Sequence, residues 1–489
     1  MNYNRNIVLL AGAVIAAFPS FSKEKNQKEV IRPNIIYILA DDLGYGDLSV
    51  FGQKRIATPN IDRLAREGLT FSKHYSGAPV CAPSRCVLLT GMHTGHSVIR
   101  GNKSFPGVGV TPLISDYITL PEAIKKNTNY ITGMCGRWHL GGELTKQTPF
   151  DRGFDFHFGK LSSDFPNKHG VMIDSLWYTA GKHIQYKDYS ARNIEPMYEN
   201  GKLYNLTKEE VAMRPINMDR LVTDKALSFI DRNKANNFFL YVAYSLVHSP
   251  MEYHKDTPIE ENNWPEKERA FASMLRSLDK YVGEITAQVD KQGLGEKTII
   301  IFTSDNGAHN EGGHSYEFFN SNGDFRGFKR ELYDGGIRTP MLLRWKGTVA
   351  AGSTTDLLSA FWDVMPTICD LAGAPIPDQT DGISFAPTLL GKKQAKHDHL
   401  YWEYNEHAIE NISGPEYKQA VVFNNWKVVR YIGSNMIEVF DLSKDMGEGK
   451  NLVDSQPKVV KKALAIMSKE HKPNINFPLL KSERTGMNK

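Results

Sequence analysis

Short apolar runs recur along the chain, and each is followed by polar side chains. Ile35–Ala40 (IIYILA), Phe238–Tyr244 (FFLYVAY) and Thr298–Thr303 (TIIIFT) are continuous runs of strand length, with Met341–Trp345 a weaker fourth. Continuous rather than alternating hydrophobicity predicts strands covered on both faces, as in a mostly parallel sheet between helices. Phe271, Leu275, Leu278, Val282, Ile285 and Val289 step by 4, 3, 4, 3 and 4 with charge between them, the period of an amphipathic helix. That helix leads through Gly293 and Gly295 into TIIIFT. Beyond residue 375 the texture changes. After a two-proline loop (Ala374–Asp381), the runs His399–Tyr404, Gln419–Tyr431 and Ile437–Leu442 predict antiparallel strands. Pro457–Lys472, with Val460, Leu464 and Met467 on one face, predicts a closing helix. The fold expected is α/β: a mixed, mostly parallel sheet sandwiched by helices over residues 23–375, then a smaller α+β domain with an antiparallel sheet over 376–489.

The first 22 residues read differently. Ile7–Phe18 is a twelve-residue apolar or small run after one charge, Arg5, and before a small-x-small site at Ser20–Ser22. This predicts a cleaved signal peptide over residues 1–22, and so a secreted or periplasmic protein. The run is too short to span a bilayer and no other run reaches about 18 apolar residues, so no membrane span is expected. With 59 Lys+Arg against 55 Asp+Glu, the net charge of +4 argues against a nucleic-acid-binding protein. Four cysteines in 489 residues exclude a disulfide-built scaffold.

The chemistry follows the strands. IIYILA runs into Asp41-Asp42, TIIIFTS into Asp305-Asn306-Gly307, and FFLYVAYSLV into His248. Asn129–Cys135 runs into Gly136-Arg137-Trp138-His139. In open α/β sheets, ligands bind beyond the carboxyl ends of the strands. Each group alone reads as loop polarity or a helix cap, but four strands delivering such groups to one edge point to a shared site. Asp41, Asp42, Asp305 and Asn306 form an all-oxygen set suited to Ca²⁺ or Mg²⁺, whereas Zn²⁺ favours His and Cys.

Cys81-Ala82-Pro83-Ser84-Arg85 resembles the C-x-P-S-R signature of type I sulfatases, members of the alkaline phosphatase superfamily in which that Cys is oxidised to formylglycine. PNIIYILADDLGYGD, GRWHLG, IIIFTSDNG and RGFKRELYDGGIRTP resemble further family segments, in family order. The resemblance implies an alkaline-phosphatase-like fold and hydrolysis of sulfate monoesters by a formylglycine gem-diol made from Cys81 by a maturation enzyme. One hydroxyl attacks sulfur; the other later expels sulfate. It implies one Ca²⁺, favoured over Mg²⁺, held by Asp41, Asp42, residue 81, Asp305 and Asn306. Arg85 would hold the gem-diol, Lys329 the sulfate, His248 would act as general acid on the leaving oxygen, and His139 would assist collapse of the sulfated intermediate. Structural roles for His139 and Lys329 stay open on the residues alone.

Two positions depart from the family pattern. Arg137 replaces the usual Lys, which implies that sulfate binding survives with altered geometry, and Asp334 replaces Glu. HNEGGHSYEFFNSNGDFRG resembles bacterial carbohydrate sulfatases, so a sulfated carbohydrate is the expected substrate, with Arg137, Arg100, Asn102, His309, His314 and Arg326 the candidate contacts. Glu311 and Asn322 lie in the same stretch. Rival readings are a phosphate or phosphonate monoester hydrolase on the same fold and a non-catalytic sulfated-glycan-binding protein.

Overall fold

The computed structural model describes Met1 and residues 32–102, 104–105, 109–110, 112–113, 116–142, 145–161, 171–173, 176–178, 197–204, 207, 218–405 and 417–484. The expected signal peptide, Met1 apart, lies outside the described residues. Residues 32–484 belong to one compact unit.

Ten strands form the main sheet: β1 (Asn34–Ala40), β2 (Leu69–Phe71), β3 (Ile131–Gly136), β4 (Phe156–Lys160), β5 (Met197–Glu199), β6 (Lys202–Leu203), β7 (Phe238–Ala243), β8 (Thr298–Ser304), β9 (Met341–Arg344) and β10 (Ser353–Thr355). Their spatial order is β6-β5-β4-β3-β7-β1-β8-β9-β2-β10. The central run from β4 to β8 is parallel, while β5, β6 and β9 pair antiparallel with their neighbours. β1 shows why its sequence is apolar without alternation. Ile35, Tyr37 and Leu39 enter one core layer, and Ile36, Ile38 and Ala40 the other. Fully burying such side chains stabilises the fold by roughly 1.5–3 kcal/mol each.

Helices α1 (Pro59–Arg66), α4 (Met218–Asn233) and α5 (Glu266–Lys291) cover one face. Helices α2 (Cys81–Thr90), α3 (Leu120–Asn127) and α6 (Val364–Ala372) cover the other. α5 is the expected amphipathic helix, extended at both ends, with Glu266 and Glu268 in its first turn and Lys291 in its last, the polarity that suits the helix dipole. Among the described residues, no helix is long and apolar enough to cross a membrane.

The second sheet is antiparallel: β11 (Leu400–Tyr404), β12 (Lys418–Phe423), β13 (Trp426–Tyr431) and β14 (Ile437–Asp441). The run expected as one element, Gln419–Tyr431, is a hairpin. Asn424 takes a left-handed φ of 53° and turns the chain between β12 and β13. One face of this sheet packs on helix α7 (Pro457–Glu470) through Tyr401, Val421, Val428 and Met467. The other face sends Trp402, Ala420, Val429 and Phe440 into the core shared with α2 and α6.

Candidate active site

The four strand ends converge at the carboxyl edge of the main sheet. β1 delivers Asp41 and Asp42, and Asp42 holds a left-handed φ of 64°. β8 delivers Asp305 and Asn306. Asn306 Nδ2 donates to Asp42 Oδ1 at 2.8 Å, and the Asp42 N–H donates to Asp305 Oδ1 at 3.2 Å. At the end of β3, Gly136 has φ 117°, and a Cβ there would lie 1.8 Å from the Ala243 carbonyl oxygen. Only glycine lets the chain turn so tightly against β7, and the turn brings out Arg137, whose N–H donates to that same carbonyl at 2.8 Å.

Cys81 opens α2 and is 1% exposed. Val80 before it is extended, and Pro83 lies in the first turn, where its missing N–H costs no intrahelical bond. Burial pushes the Cys81 thiol up to about 12, so as a thiol it stays protonated at neutral pH. Arg137 donates to its Sγ at 3.6 Å and also pairs with Asp41. Arg85, one turn further along α2 and fully buried, donates to Asp305 Oδ2 at 2.8 Å, to Asp41 Oδ2 at 3.1 Å and to the Arg137 carbonyl at 2.6 Å.

Lys329 Nζ lies between Asp42 Oδ2 at 2.8 Å and Glu311 Oε2 at 2.9 Å. His248 donates from Nδ1 to the Ser249 carbonyl at 2.5 Å, and its Nε2 lies 3.7 Å from Asp42 Oδ2. His139 is buried on a left-handed backbone of φ 62°. Burial, then Arg137 and Arg85, hold its ring well below the usual imidazole range.

Burial and neighbouring charge act differently on the three carboxyls. Burial alone would raise all three carboxyls. At Asp41 it is outweighed by Arg137 and Arg85, which hold the group well below its ordinary range. At Asp42 it is outweighed chiefly by Lys329, giving about 2. At Asp305 burial and then the Asp41 charge win over Arg85, pushing the carboxyl up to about 7. Ligand oxygens of Asp41, Asp42 and Asp305 lie within 4.8 Å of one another. Asp41 Oδ1 and Asn306 Oδ1 are buried with no hydrogen-bond donor. Unpartnered buried oxygens are costly, and an all-oxygen set of this kind fits a hard divalent cation.

Two other His/acid groups do not fit a metal. In the His93–His96–Asp381 group, His93 Nδ1 accepts the Gly95 N–H, so the proton is on Nε2, which faces Glu470 Oε2 at 3.3 Å. In the Asp42–His309–Glu311 group, both His309 nitrogens bond to backbone. A metal needs an imidazole nitrogen with a lone pair to give.

A model of the sulfatase family matches residues 33–374, the whole of the main sheet and every residue of this site. The chain belongs to the sulfatase family. A second model, N-sulphoglucosamine sulphohydrolase, C-terminal, matches residues 323–472 of this sulfatase. The mouse N-acetylgalactosamine-6-sulfatase is 31% identical over 440 residues, covering 86% of this chain and 76% of the relative. The human steryl-sulfatase is 30% identical over 438 residues, covering 78% and 74%. The solved structure of Ps i-CgsB in complex with k-i-k-neocarrahexaose superposes with a TM-score of 0.74 at 26% identity, covering 93% of this chain and 96% of that one. The protein is a sulfuric ester hydrolase with the alkaline-phosphatase-like fold expected above.

Several expected sugar contacts of this sulfatase have other partners. Arg100 is 2% exposed and donates to Glu403 and to the Lys472 carbonyl at 2.7 Å, tying the loop after α2 to the second sheet. His314 bonds Glu268 at 2.6 Å and stacks on Phe271 at 3.9 Å. Arg326 lies over the Tyr333 ring and reaches Glu438 at 3.4 Å. His309 is fully buried, and burial holds its ring at about 4. Arg100, His309 and His314 are buried and already paired, against the expectation of sugar contact, whereas the Arg326 side chain is paired with Glu438 yet 40% exposed. Asn102 stays near the site, its Oδ1 accepting the Ala82 N–H at 3.2 Å. The substituted Asp334 is buried in a cluster with Lys427 at 2.7 Å and Arg338 at 3.1 Å. Missing from the expected set is Arg330, which pairs with Glu311 at the outer edge of the site and has a left-handed φ of 76°. Its only sequence signal is its place beside Lys329.

Proposed function

We propose that this sulfatase removes an O-sulfate from a sugar of a sulfated glycan, using formylglycine made from Cys81 by a maturation enzyme and one Ca²⁺. The observation that carries the reading is the site's composition. A buried residue 81 faces Arg137, beside three carboxylates and an amide that leave two oxygens without donors. Asp41, Asp42, Asp305 and Asn306, with residue 81, would hold the cation, which when bound supplies Lewis-acid polarisation of a sulfate oxygen. The aldehyde, as its hydrate, supplies a nucleophile that a thiol protonated up to about 12 does not.

The chain's own residues do the rest. Arg137 and Lys329 bind the sulfate oxygens. Arg85 orients the first turn of α2 against Asp41 and Asp305. His248, its Nδ1 proton tied to the Ser249 carbonyl, acts as general acid in its imidazolium form, giving the second proton, on Nε2, to the leaving oxygen. His139, held neutral, takes a proton during release of sulfate. At the outer edge, Arg330 and Glu311 are 43% and 24% exposed and set a donor beside an acceptor. That suits a sugar hydroxyl next to the sulfated carbon better than a featureless apolar alcohol. The relative named N-acetylgalactosamine-6-sulfatase and the Ps i-CgsB structure in complex with k-i-k-neocarrahexaose support the same substrate class. The leader expected over residues 1–22 would direct the protein to secretion or the periplasm.

Mass spectrometry of the peptide holding residues 81–85, from protein made with its maturation system, tests the nucleophile. Exchange of sulfur and two hydrogens for oxygen makes it about 18 Da lighter than the Cys form. An unmodified thiol in an enzyme that still turns over would overturn the reading. Side-by-side assay of N-acetylgalactosamine 6-sulfate, 4-nitrophenyl sulfate and 4-nitrophenyl phosphate tests the ester, and preference for phosphate would replace sulfate as the substrate.

A further inference from the structure

The turn carrying His248 is held from two sides. On one side the Val247 N–H donates to the Asp41 carbonyl at 2.8 Å, and the Asp41 N–H donates to the Leu246 carbonyl at 2.9 Å. On the other side His309 Nε2 donates to the Val247 carbonyl at 3.2 Å. The second ring nitrogen of His309, Nδ1, accepts the Glu311 N–H at 3.1 Å. Together these bonds define one tautomer, with the proton on Nε2 and the lone pair on Nδ1. The ring is fully buried and lies 5.1 Å from His314 and 6.2 Å from Phe271, so it has no room to swing. His309 therefore bridges the loop after β8 to the turn after β7, one residue before His248. Val247 is itself fully buried, so its carbonyl has no water to turn to if the ring is lost.

We propose that His309 is a positioning residue for catalysis: through the Val247 carbonyl it fixes the 245–249 turn so that His248 Nε2 faces the leaving oxygen. The inference rests on the reading of His248 as general acid. It predicts a loss that depends on the leaving group. An alkoxide or a basic phenolate needs a proton as it departs, whereas 4-nitrophenolate leaves readily without one.

The discriminating pair of variants is His309→Asn and His309→Gln. Asn keeps an acceptor near the Nδ1 position for Glu311 but loses the donor to Val247. Gln keeps a donor near the Nε2 position. Both are assayed in the matured enzyme on phenyl sulfate, N-acetylgalactosamine 6-sulfate and 4-nitrophenyl sulfate, beside His248→Ala. The expected result for Asn is a kcat loss of about 10²-fold on the two poor leaving groups, with KM and 4-nitrophenyl sulfate turnover little changed and Gln close to wild type. His309→Phe, which fills the ring volume without either bond, should repeat the Asn result and serves if Asn does not fold. Equal losses on all three substrates, no loss in Asn, or Gln as impaired as Asn would overturn the positioning role. If His248→Ala itself lacks leaving-group dependence, the general-acid reading falls and this inference falls with it. If His248→Ala has that dependence and Asn lacks it, only the inference falls.

Discussion

Two buried charge clusters stand on either side of the Gly307–Gly335 contact, and they are built to different ends. Gly307 accepts no side chain, because a Cβ there would lie 1.9 Å from the Gly335 carbonyl oxygen. On one side, Lys427 from β13 lies 2.7 Å from Asp334 and 2.9 Å from Glu448, all three fully buried. Arg338 completes the set at 3.1 Å from Asp334, and the Asp334 N–H donates to Glu448 at 2.7 Å. Two cations meet two acids, and the cluster is closed to solvent. On the other side, Arg85, Arg137, Lys329 and Arg330 face Asp41, Asp42, Asp305 and Glu311. That count also balances, yet Asp41 Oδ1 and Asn306 Oδ1 lack donors and the Arg330–Glu311 edge is open. Charge balance therefore does not separate a structural cluster from a functional one. Nor does an unpartnered acceptor, since Glu448 Oε1 also lacks a hydrogen bond; the open edge and the all-oxygen set of Asp41, Asp42, Asp305 and Asn306 do.

The contrast predicts different failures. Cys81→Ala should lower kcat/KM by at least ~10⁴-fold while leaving the thermal midpoint near wild type, because the small apolar replacement fits a dry helix start. Lys427→Met should do the reverse. Stranding Asp334 and Glu448 should destabilise the fold by about 3–5 kcal/mol in denaturant titrations, with the catalytic constants of the folded fraction unchanged. Chelation of divalent cations should stop turnover and lower the midpoint. Ca²⁺ at a hundredfold its Kd should return ~2.7 kcal/mol of stability to the wild type. Arg330→Ala should raise KM for N-acetylgalactosamine 6-sulfate about tenfold, ~1.4 kcal/mol, and leave that for 4-nitrophenyl sulfate unchanged. An equal rise for both would remove Arg330 from sugar recognition.

The smallest effect concerns a third set of charges. His471 lies 2.7 Å from Glu403 and 2.6 Å from Glu483. Burial disfavours its charge, but the two carboxylates outweigh that and hold the ring above its ordinary value. A raised value means that folding favours the protonated form. The resulting stabilisation is complete below about pH 6.5 and fades as pH rises through the folded value. His471→Gln should flatten the stability-versus-pH curve over that window, and an unchanged slope would show that the pair contributes nothing.

The central sheet was legible because β1, β7 and β8 are buried on both faces and spell that in unbroken apolar runs. The strand Leu69–Phe71 and the edge strand Ser353–Thr355 were not, being three residues each and partly polar. Helix α6 was hidden by Pro366 at its third position, where a proline costs no hydrogen bond. The same logic divides the site. Asp41, Asp42, Asp305 and Asn306 follow strand ends, so local pattern places them. Arg100 and Arg326 resemble ligand-binding side chains until their acids, Glu403 and Glu438, arrive from 303 and 112 residues away. Sequence pattern carries no trace of such a partner, because pairing across the fold is a property of tertiary packing alone.

The burial of residue 81 has a consequence in time rather than in space. Cys81 is 1% exposed at the start of a helix whose ten residues are all buried. No enzyme can draw that thiol into a catalytic cleft of its own without unwinding α2 and opening the core it fills. On the proposed formylglycine reading, oxidation to the aldehyde therefore has to precede folding, while the segment is still an extended peptide. The fraction of competent enzyme is then set by a race between modification and collapse, and a molecule that folds first is a well-formed protein committed to inactivity.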